Sequence, residues 1–216
     1  MLGTLILDFD GPILDGKYRH YQCYQDILTE YGYAPMPLEP YWEMKRSRVD
    51  RYQQLAASEA TALYETFLRE WLERIEEKKY LALDRLQDGV LDVLKQWHNS
   101  DLKLVLATMR NRESGVLWQL ETMGLAPYFD EVIVTRQAQL GAGKANVVKQ
   151  RVADLSATTA LWIGDTEIDA EAARQLGLKI CLLSCGLRTH DYLASLEPDF
   201  LVPSLKALDL PRIGIY

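Results

Sequence analysis

The sequence predicts an α/β fold in which a parallel-sheet core is interrupted by an all-helical insertion. After Asp88-Gly89, short apolar segments of strand length alternate with segments of helical periodicity. Strands separated by helices of this length are joined by right-handed crossovers in a parallel sheet. An apolar run, Thr4–Leu7, precedes a polar and aromatic stretch that contains no comparable strand segment. We therefore expect a core from residues 1–15 and 86–216, and a helical unit from residues 16–85.

Two segments of the insertion have helical spacing. The first contains Tyr21, Tyr24 and Ile27, and Gly32 is well placed to end its helix. The second predicts one continuous amphipathic helix with Ser58 as its N-cap. Its apolar stripe comprises Ala60, Leu63, Tyr64, Phe67, Leu68, Trp71, Leu72 and Ile75.

After Asp88-Gly89, segments predicted to be helices alternate with segments predicted to be strands. Helices are predicted at Gly89–His98, Val116–Met123, Lys144–Val152 and Ile168–Leu176. Strands are predicted at Lys103–Ala107, Glu131–Thr135, Ala160–Ile163 and Lys179–Leu183. We expect Thr4–Leu7 to join the sheet that these strands form.

Composition indicates an ordinary globular protein and excludes several partners. Of 216 residues, 48% are hydrophobic and 25% charged, and the net charge of −7 argues against binding nucleic acid or an anionic membrane over a broad surface. No apolar stretch approaches the roughly 18–20 residues needed to span a bilayer, and Met1–Leu7 is too short for an export signal. Three cysteines without a C-x-x-C pair suggest free thiols, so we expect a cytoplasmic protein. Its oligomeric state cannot be read from the sequence.

Acidic and hydroxyl side chains stand at the carboxyl ends of the predicted strands, where open parallel sheets bind their ligands. They are Asp8, Asp10, Thr108, Asp165 and, four residues later, Asp169. Gathered carboxylates repel one another unless a cation or proton intervenes, and oxygen ligands of this kind suit Mg²⁺ together with a phosphate. Each residue also has a plainer interpretation, since such residues commonly form turns and cap helices.

These segments resemble the four motifs of the haloacid dehalogenase-like superfamily. In chain order they are D-F-D-G at residues 8–11, Thr108, Lys144 and G-D-T-E-I-D at residues 164–169. The insertion resembles the helical cap of the phosphoglycolate phosphatase and β-phosphoglucomutase branch, which implies a Rossmann-like core with an inserted cap domain. The context of Lys144, G-A-G-K-A, departs from the lysine-proline pattern of many relatives, so Lys149 stays open as the active-site lysine.

The resemblance implies Mg²⁺-dependent hydrolysis of a small phosphate monoester, with Asp8 attacking phosphorus to form an aspartyl-phosphate. Asp10 would protonate the leaving alcohol and later deprotonate the attacking water. The metal would be held by Asp8, Asp10 through its backbone carbonyl, and Asp165, while Asp169 would orient Asp165 or Lys144, or reach the ion through water.

The phosphoryl group would be bound by Thr108 and Lys144. Arg110, two residues after Thr108, is a candidate for substrate contact or a surface residue. In the insertion, Lys45, Arg46, Arg48 and Arg51 form a basic group, which suggests either a solvated helix face or recognition of the substrate's anionic remainder by Arg48 and Arg51.

Three functions remain open at this point. A phosphatase acting on a phosphorylated metabolite is favoured, and a phosphomutase acting on a sugar phosphate is the alternative. A non-catalytic binding protein of the same fold is disfavoured because both Asp8 and Asp10 are present. The choice among phosphoglycolate, a sugar phosphate and a nucleotide cannot be made from the motifs.

Overall fold

The computed structural model describes residues 3–100, 102–136 and 140–213. In chain order its strands are β1 (Thr4–Leu7), β2 (Leu14–Asp15), β3 (Arg85–Leu86), β4 (Lys103–Met109), β5 (Glu131–Thr135), β6 (Ala160–Gly164), β7 (Lys179–Leu183) and β8 (Phe200–Val202). Its α-helices are α1 (Lys17–Glu30), α2 (Leu38–Arg46), α3 (Arg51–Ala56), α4 (Tyr64–Arg74), α5 (Lys78–Leu81), α6 (Val90–His98), α7 (Glu113–Thr122), α8 (Leu140–Arg151), α9 (Glu167–Leu176), α10 (His190–Ala194) and α11 (Leu210–Ile213).

Six strands form one parallel sheet in the order β5-β4-β1-β6-β7-β8, while β2 and β3 pair separately. The predicted α/β class is therefore confirmed. Thr4–Leu7 joins the sheet, as expected, and lies between β4 and β6. β8, at the edge of the sheet, was not predicted from the sequence; it has three residues and is only partly buried. A segment this short has too few apolar residues to show a period of its own.

Both faces of the sheet are buried, which explains why its strands read as continuous apolar runs. Leu5 and Leu7 of β1 face a cluster that includes Leu94 of α6 and Val116 of α7. Ile6, between them, faces the opposite cluster, which includes residues of α8 and α9. The central strand is thus fixed by packing on both sides as well as by its two neighbouring strands.

The chain divides into two compact units, Met1–Asp15 with Leu86–Tyr216, and Gly16–Arg85. In the second unit, the rings of Tyr24 and Tyr41 stack at 4.4 Å, and Phe67 and Trp71 of α4 stack at 5.6 Å. Helices and an aromatic core therefore make up this insertion.

The predicted continuous helix of the insertion is wrong at its start. A 3-10 turn, Thr61–Leu63, precedes α4, and Ser58 does not cap either element. The Ser58 hydroxyl instead lies 2.5 Å from the Tyr24 hydroxyl in the interior of the unit. A buried polar partner from elsewhere in the chain has replaced the local capping role.

A buried ion pair joins the two ends of the insertion. The Arg19 side chain is 2% exposed and the Asp84 side chain 0% exposed, and Nε of Arg19 lies 3.1 Å from Oδ1 of Asp84.

Within the described residues, no helix has the length and apolar character required to cross a membrane.

We expect the Asp84→Asn substitution to lower the free energy of unfolding by about 3–5 kcal/mol, because it leaves the buried Arg19 guanidinium without its counter-charge. The matched control is Glu39→Gln, which removes the exposed partner of the Lys17–Glu39 pair and should cost about 1 kcal/mol or less. Urea denaturation of both variants measures the difference. Equal costs would contradict the structural role of the buried pair.

Candidate active site

The site begins at the tips of three adjacent strands. The parallel register pairs Leu7 of β1 with Leu106 of β4 on one side and with Ile163 of β6 on the other. Asp8 follows Leu7 directly, and its backbone N–H donates to the Ile163 carbonyl at 2.9 Å. Thr108 and Asp165 lie two residues beyond the paired positions, so these three side chains leave the sheet at the same edge.

Asp165 is completely buried, and its carboxylate lies against two glycines. A Cβ atom at Gly11 would lie 2.1 Å from Oδ2 of Asp165, and one at Gly186 would lie 2.0 Å from the same atom. Gly11 also has φ of +101°, which other residues rarely adopt. The Leu187 N–H donates to Oδ2 at 2.5 Å. The turn after Asp10 and the loop after β7 therefore hold this carboxylate from two sides.

The loop after β7 is attached to the start of α9 by a bidentate ion pair. Nε and Nη2 of Arg188 each lie 2.8 Å from a carboxylate oxygen of Glu167. Because Leu187 precedes Arg188, this pair helps to fix the amide that binds Asp165. Neither the contact with the glycines nor the Arg188–Glu167 pair was predicted from the sequence. The available signal was the position of the loop, which follows the end of a predicted strand, where ligand sites are expected.

The carboxylate of Asp169 accepts five hydrogen bonds. Its Oδ1 accepts from Lys144 Nζ at 2.8 Å and from the indole N–H of Trp162 at 3.2 Å. Its Oδ2 accepts from the Thr166 hydroxyl at 2.8 Å and from the backbone N–H groups of Thr166 and Asp165. Asp169 is thus both the N3 residue of a capping box and an anchor for the lysine.

Lys144, rather than Lys149, is brought to the acidic cluster. Its Nζ lies 2.8 Å from Oδ1 of Asp169 and 3.1 Å from Oδ1 of Asp8, and its side chain is 1% exposed. Lys149 is exposed on the same helix. The expectation that Lys144 starts the helix is wrong, because α8 begins at Leu140 and places Lys144 in its second turn.

Burial and like charges oppose ionisation of two of the acids. The pKa of Asp8 is raised to about 7 by burial and by the carboxylates of Asp169 and Asp10, against the opposite effect of Lys144. Burial, with the charges of Asp8 and Asp169, raises the pKa of Asp165 well above its usual range. For Asp169, the penalty of burial is outweighed by Lys144 and the surrounding donors, so its pKa is lowered. Asp8 and Asp165 therefore favour a proton or a cation nearby.

The acids fit a divalent cation by their geometry and by their unused acceptors. Ligand atoms of Asp8, Asp165 and Asp169 all lie within 4.8 Å of one another. Among the described residues, Oδ1 of Asp165 and the buried Thr108 hydroxyl have no hydrogen-bond partner, and the buried Oδ1 of Asp8 has only the ion pair with Lys144 at 3.1 Å. Hard oxygen donors left unsatisfied in this way suit Mg²⁺, with Thr108 available for another ligand.

Asp10 and Arg110 form a bidentate pair beside this cluster. Arg110 Nε lies 2.5 Å from Oδ2 of Asp10, and Nη2 lies 2.7 Å from Oδ1. Both residues were predicted as candidates for the site, but a contact between them was not predicted. Their roles toward substrate stay predictions.

Arg48 and Arg51, the two arginines predicted to recognise the substrate, belong to the other compact unit. The Arg51 guanidinium lies 4.2 Å from the centre of the Trp71 ring, and its Nη1 donates to Oε1 of Gln54 at 2.9 Å. Arg48 is exposed, with φ of +60°. Arg51 therefore has a packing role within its own unit, and substrate recognition by either residue stays a prediction.

The chain is similar in sequence and in fold to known proteins over nearly its full length. A 25% identical phosphoglycolate phosphatase from Synechococcus elongatus and a 22% identical pyrophosphatase PpaX from Halalkalibacterium halodurans align with 92% and 99% of the chain, and with 92% and 98% of their own lengths. Among solved structures, a candidate β-phosphoglucomutase from Thermotoga maritima has a TM-score of 0.71 at 19% identity, over 99% of this chain and all of that one, which shows a shared fold.

The expected superfamily, and with it a phosphatase-type hydrolase, is confirmed by these relatives and by a match over most of the sequence. The model of the family described as haloacid dehalogenase-like hydrolase covers residues 5–183, a span that contains every residue of the acidic cluster. The chain therefore belongs to the haloacid dehalogenase-like hydrolases.

Proposed function

We propose that the protein hydrolyses a small phosphate monoester with the help of Mg²⁺, through an aspartyl-phosphate on Asp8. The observation that carries this proposal is the pair of buried carboxylates, Asp8 and Asp165, whose ligand atoms lie in one cluster. Oδ1 of Asp8 lies 3.1 Å from the Lys144 ammonium, and Oδ1 of Asp165 has no hydrogen-bond partner among the described residues. An anionic nucleophile, a cation site and a fixed positive charge are the groups that phosphoryl transfer to a carboxylate requires.

Asp8 and Asp165 would hold the ion directly, as part of a ligand set that includes the Asp10 backbone carbonyl. Bound Mg²⁺ would supply the positive charge that lets a carboxylate approach a phosphate dianion. Asp169, whose oxygens already accept five hydrogen bonds, would position Lys144 and the backbone of Asp165.

The reaction follows from the remaining side chains. An Asp8 oxygen attacks phosphorus, the bond to the leaving oxygen breaks, and Asp10 gives that oxygen a proton. Asp10 then takes a proton from water, which attacks the aspartyl-phosphate and frees Asp8 and phosphate. Thr108 would donate to a phosphoryl oxygen, and Lys144 would balance the charge of both phosphate and Asp8.

The helical unit, residues 16–85, would act as the cap domain that excludes bulk water and selects the substrate. Phosphoglycolate and pyrophosphate are the first compounds to test, because relatives over nearly the full chain carry these names. Arg48 and Arg51 remain the candidates for recognition of the substrate's anionic remainder.

A phosphomutase is the second candidate, favoured by the structural likeness to a candidate β-phosphoglucomutase. The same aspartyl-phosphate could return its phosphoryl group to a sugar hydroxyl instead of water. Incubation with a sugar phosphate, followed by measurement of free phosphate and of isomerised product, distinguishes the two reactions.

The Asp8→Asn variant should lose at least about 10³-fold in turnover, because an amide oxygen is not a competent nucleophile. Phosphate release from a panel of phosphorylated metabolites measures the loss, and circular dichroism checks the fold. Asp154→Asn, at an exposed position, is the matched control. Turnover retained in Asp8→Asn would refute the proposed nucleophile.

Replacing Lys144 with methionine should lower kcat/KM by about 10²–10³-fold, since it removes the buried charge beside Asp8. Lys149→Met changes an exposed residue on the same helix and should stay within about twofold of the natural protein. Assays of both variants at saturating Mg²⁺ decide which lysine belongs to the site. A larger loss in Lys149→Met would reverse the assignment.

Without metal, the folded protein should lose stability as pH rises from about 4 to about 7. Asp8 and Asp165 have folded-state pKa values above their unfolded values, with Asp8 at about 7, so their protonated forms favour folding and their ionised forms oppose it. Mg²⁺ should therefore raise the melting temperature more at pH 8 than at pH 5, and chelation should abolish activity.

The control for this effect is Asp165→Asn, which can still accept from the Leu187 N–H but no longer repels Asp8. In chelator at pH 8 we expect it to be more stable than the natural protein by about 1–3 kcal/mol, and to gain little from Mg²⁺. Asp154→Asn should behave like the natural protein. Activity that survives chelation would contradict the metal site.

A further inference from the structure

The Asp10–Arg110 pair has a geometry that an ordinary surface ion pair lacks. Two nitrogens of one planar guanidinium each bind a different oxygen of one carboxylate, at 2.5 and 2.7 Å. The Arg110 side chain is only 4% exposed. Because the guanidinium is a rigid fork, a bidentate contact sets the plane and direction of the carboxylate as well as its distance.

Backbone hydrogen bonds hold the chain at both residues, so both ends of the Asp10–Arg110 pair are anchored. The Arg110 N–H donates to the Thr135 carbonyl at 2.9 Å, which keeps the tip of β4 joined to β5. Asp10 opens a tight turn in which the Gly11 N–H donates to the Leu14 carbonyl at 2.9 Å. A side chain on one central strand tip therefore holds a side chain on the neighbouring tip.

We infer that Arg110 is a positioning residue for Asp10, and that it orients the carboxyl group toward the oxygen of the leaving alcohol. This inference rests on the proposed function, in which Asp10 is the acid and base. Contact with both oxygens holds the carboxyl group in the plane of the guanidinium, which sets the directions in which its remaining lone pairs point and so the direction of proton transfer. Nε and Nη2, which form one edge of the guanidinium, both donate to Asp10, and Nη2 also lies 3.4 Å from Oε1 of Gln119. This edge ties Arg110 to the acid.

The chemistry gives this role a distinctive consequence. In the first step the Asp8 oxygen forms a bond to phosphorus, the bond from phosphorus to the leaving oxygen breaks, and an alkoxide must take the proton of Asp10. A 4-nitrophenolate leaves without needing that proton. Disturbing the orientation of Asp10 should therefore slow the first step for alkyl phosphates much more than for 4-nitrophenyl phosphate.

The experiment compares kcat/KM for glycerol 2-phosphate and for 4-nitrophenyl phosphate in the Mg²⁺-loaded full chain. Arg110→Lys keeps the positive charge and loses the planar fork. We expect a loss of about 10²-fold with the alkyl phosphate and of less than about fivefold with the aryl phosphate. The use of kcat/KM restricts the readout to steps up to the first irreversible one, before water attacks the aspartyl-phosphate.

Two further variants control the result. Arg151→Lys, at an exposed arginine of the same unit, should leave both substrates within about twofold. Arg110→Gln retains a side-chain donor without the fork and should shift the ratio of the two substrates in the same direction as Arg110→Lys. Aryl phosphate turnover in each variant also reports that the site is folded.

Equal losses with the two substrates in both Arg110 variants would overturn the inference, because a residue that binds the phosphoryl group or only supports the fold affects both alike. Unchanged activity with both substrates would overturn it as well. Failure of the proposed function is a separate outcome, recognised by an Asp8→Asn protein that still hydrolyses 4-nitrophenyl phosphate.

Discussion

Repulsion among buried carboxylates is the interaction on which the rest of the site depends. Asp8, Asp165 and Asp169 bring ligand atoms within 4.8 Å of one another, and Lys144 is the buried ammonium that contacts them. Asp169 has a lowered pKa because Lys144 and the surrounding donors compensate its charge, whereas burial and like charges raise the pKa values of Asp8 and Asp165 and oppose their ionisation. The same imbalance that destabilises the metal-free cluster would create affinity for a cation and keep a reactive oxygen on Asp8.

A site of this kind requires a scaffold that does not relax when the charges repel. β1 is paired on both sides and packed on both faces, so the position of Asp8 is determined by the interior of the sheet. Asp165 is confined by Gly11 and Gly186, because a side chain at either position would collide with its carboxylate. Apolar burial across the sheet, about 25 cal/mol for each Å² removed from water, can offset an electrostatic cost confined to a few residues.

Features that follow from the order of segments along the chain could be predicted from the sequence. Contacts between particular side chains that lie far apart in the sequence could not. Alternating segments were sufficient for the parallel sheet, and the rule that ligands lie beyond strand ends brought Asp8, Thr108 and Asp165 together. Ser58 was misassigned because its partner, Tyr24, lies far away in the sequence. The contact of Trp162 with Asp169 could not be predicted for a related reason. An apolar sequence pattern accounts for the burial of a tryptophan but does not identify the acceptor of its indole N–H.

The separation of tasks at the site explains why phosphatase and phosphomutase activity are difficult to distinguish from the core. In the proposed mechanism, Asp8, Lys144 and the metal ligands would act on the phosphoryl group, which is the same in both reactions. Asp10 would act on the oxygen that leaves or attacks, and Arg110 contacts both oxygens of its carboxyl group. If that orientation is fixed by the core, the choice between water and a sugar hydroxyl depends on which of them reaches Asp10. Specificity would then be a property of the helical insertion, the part of the sequence without catalytic motifs.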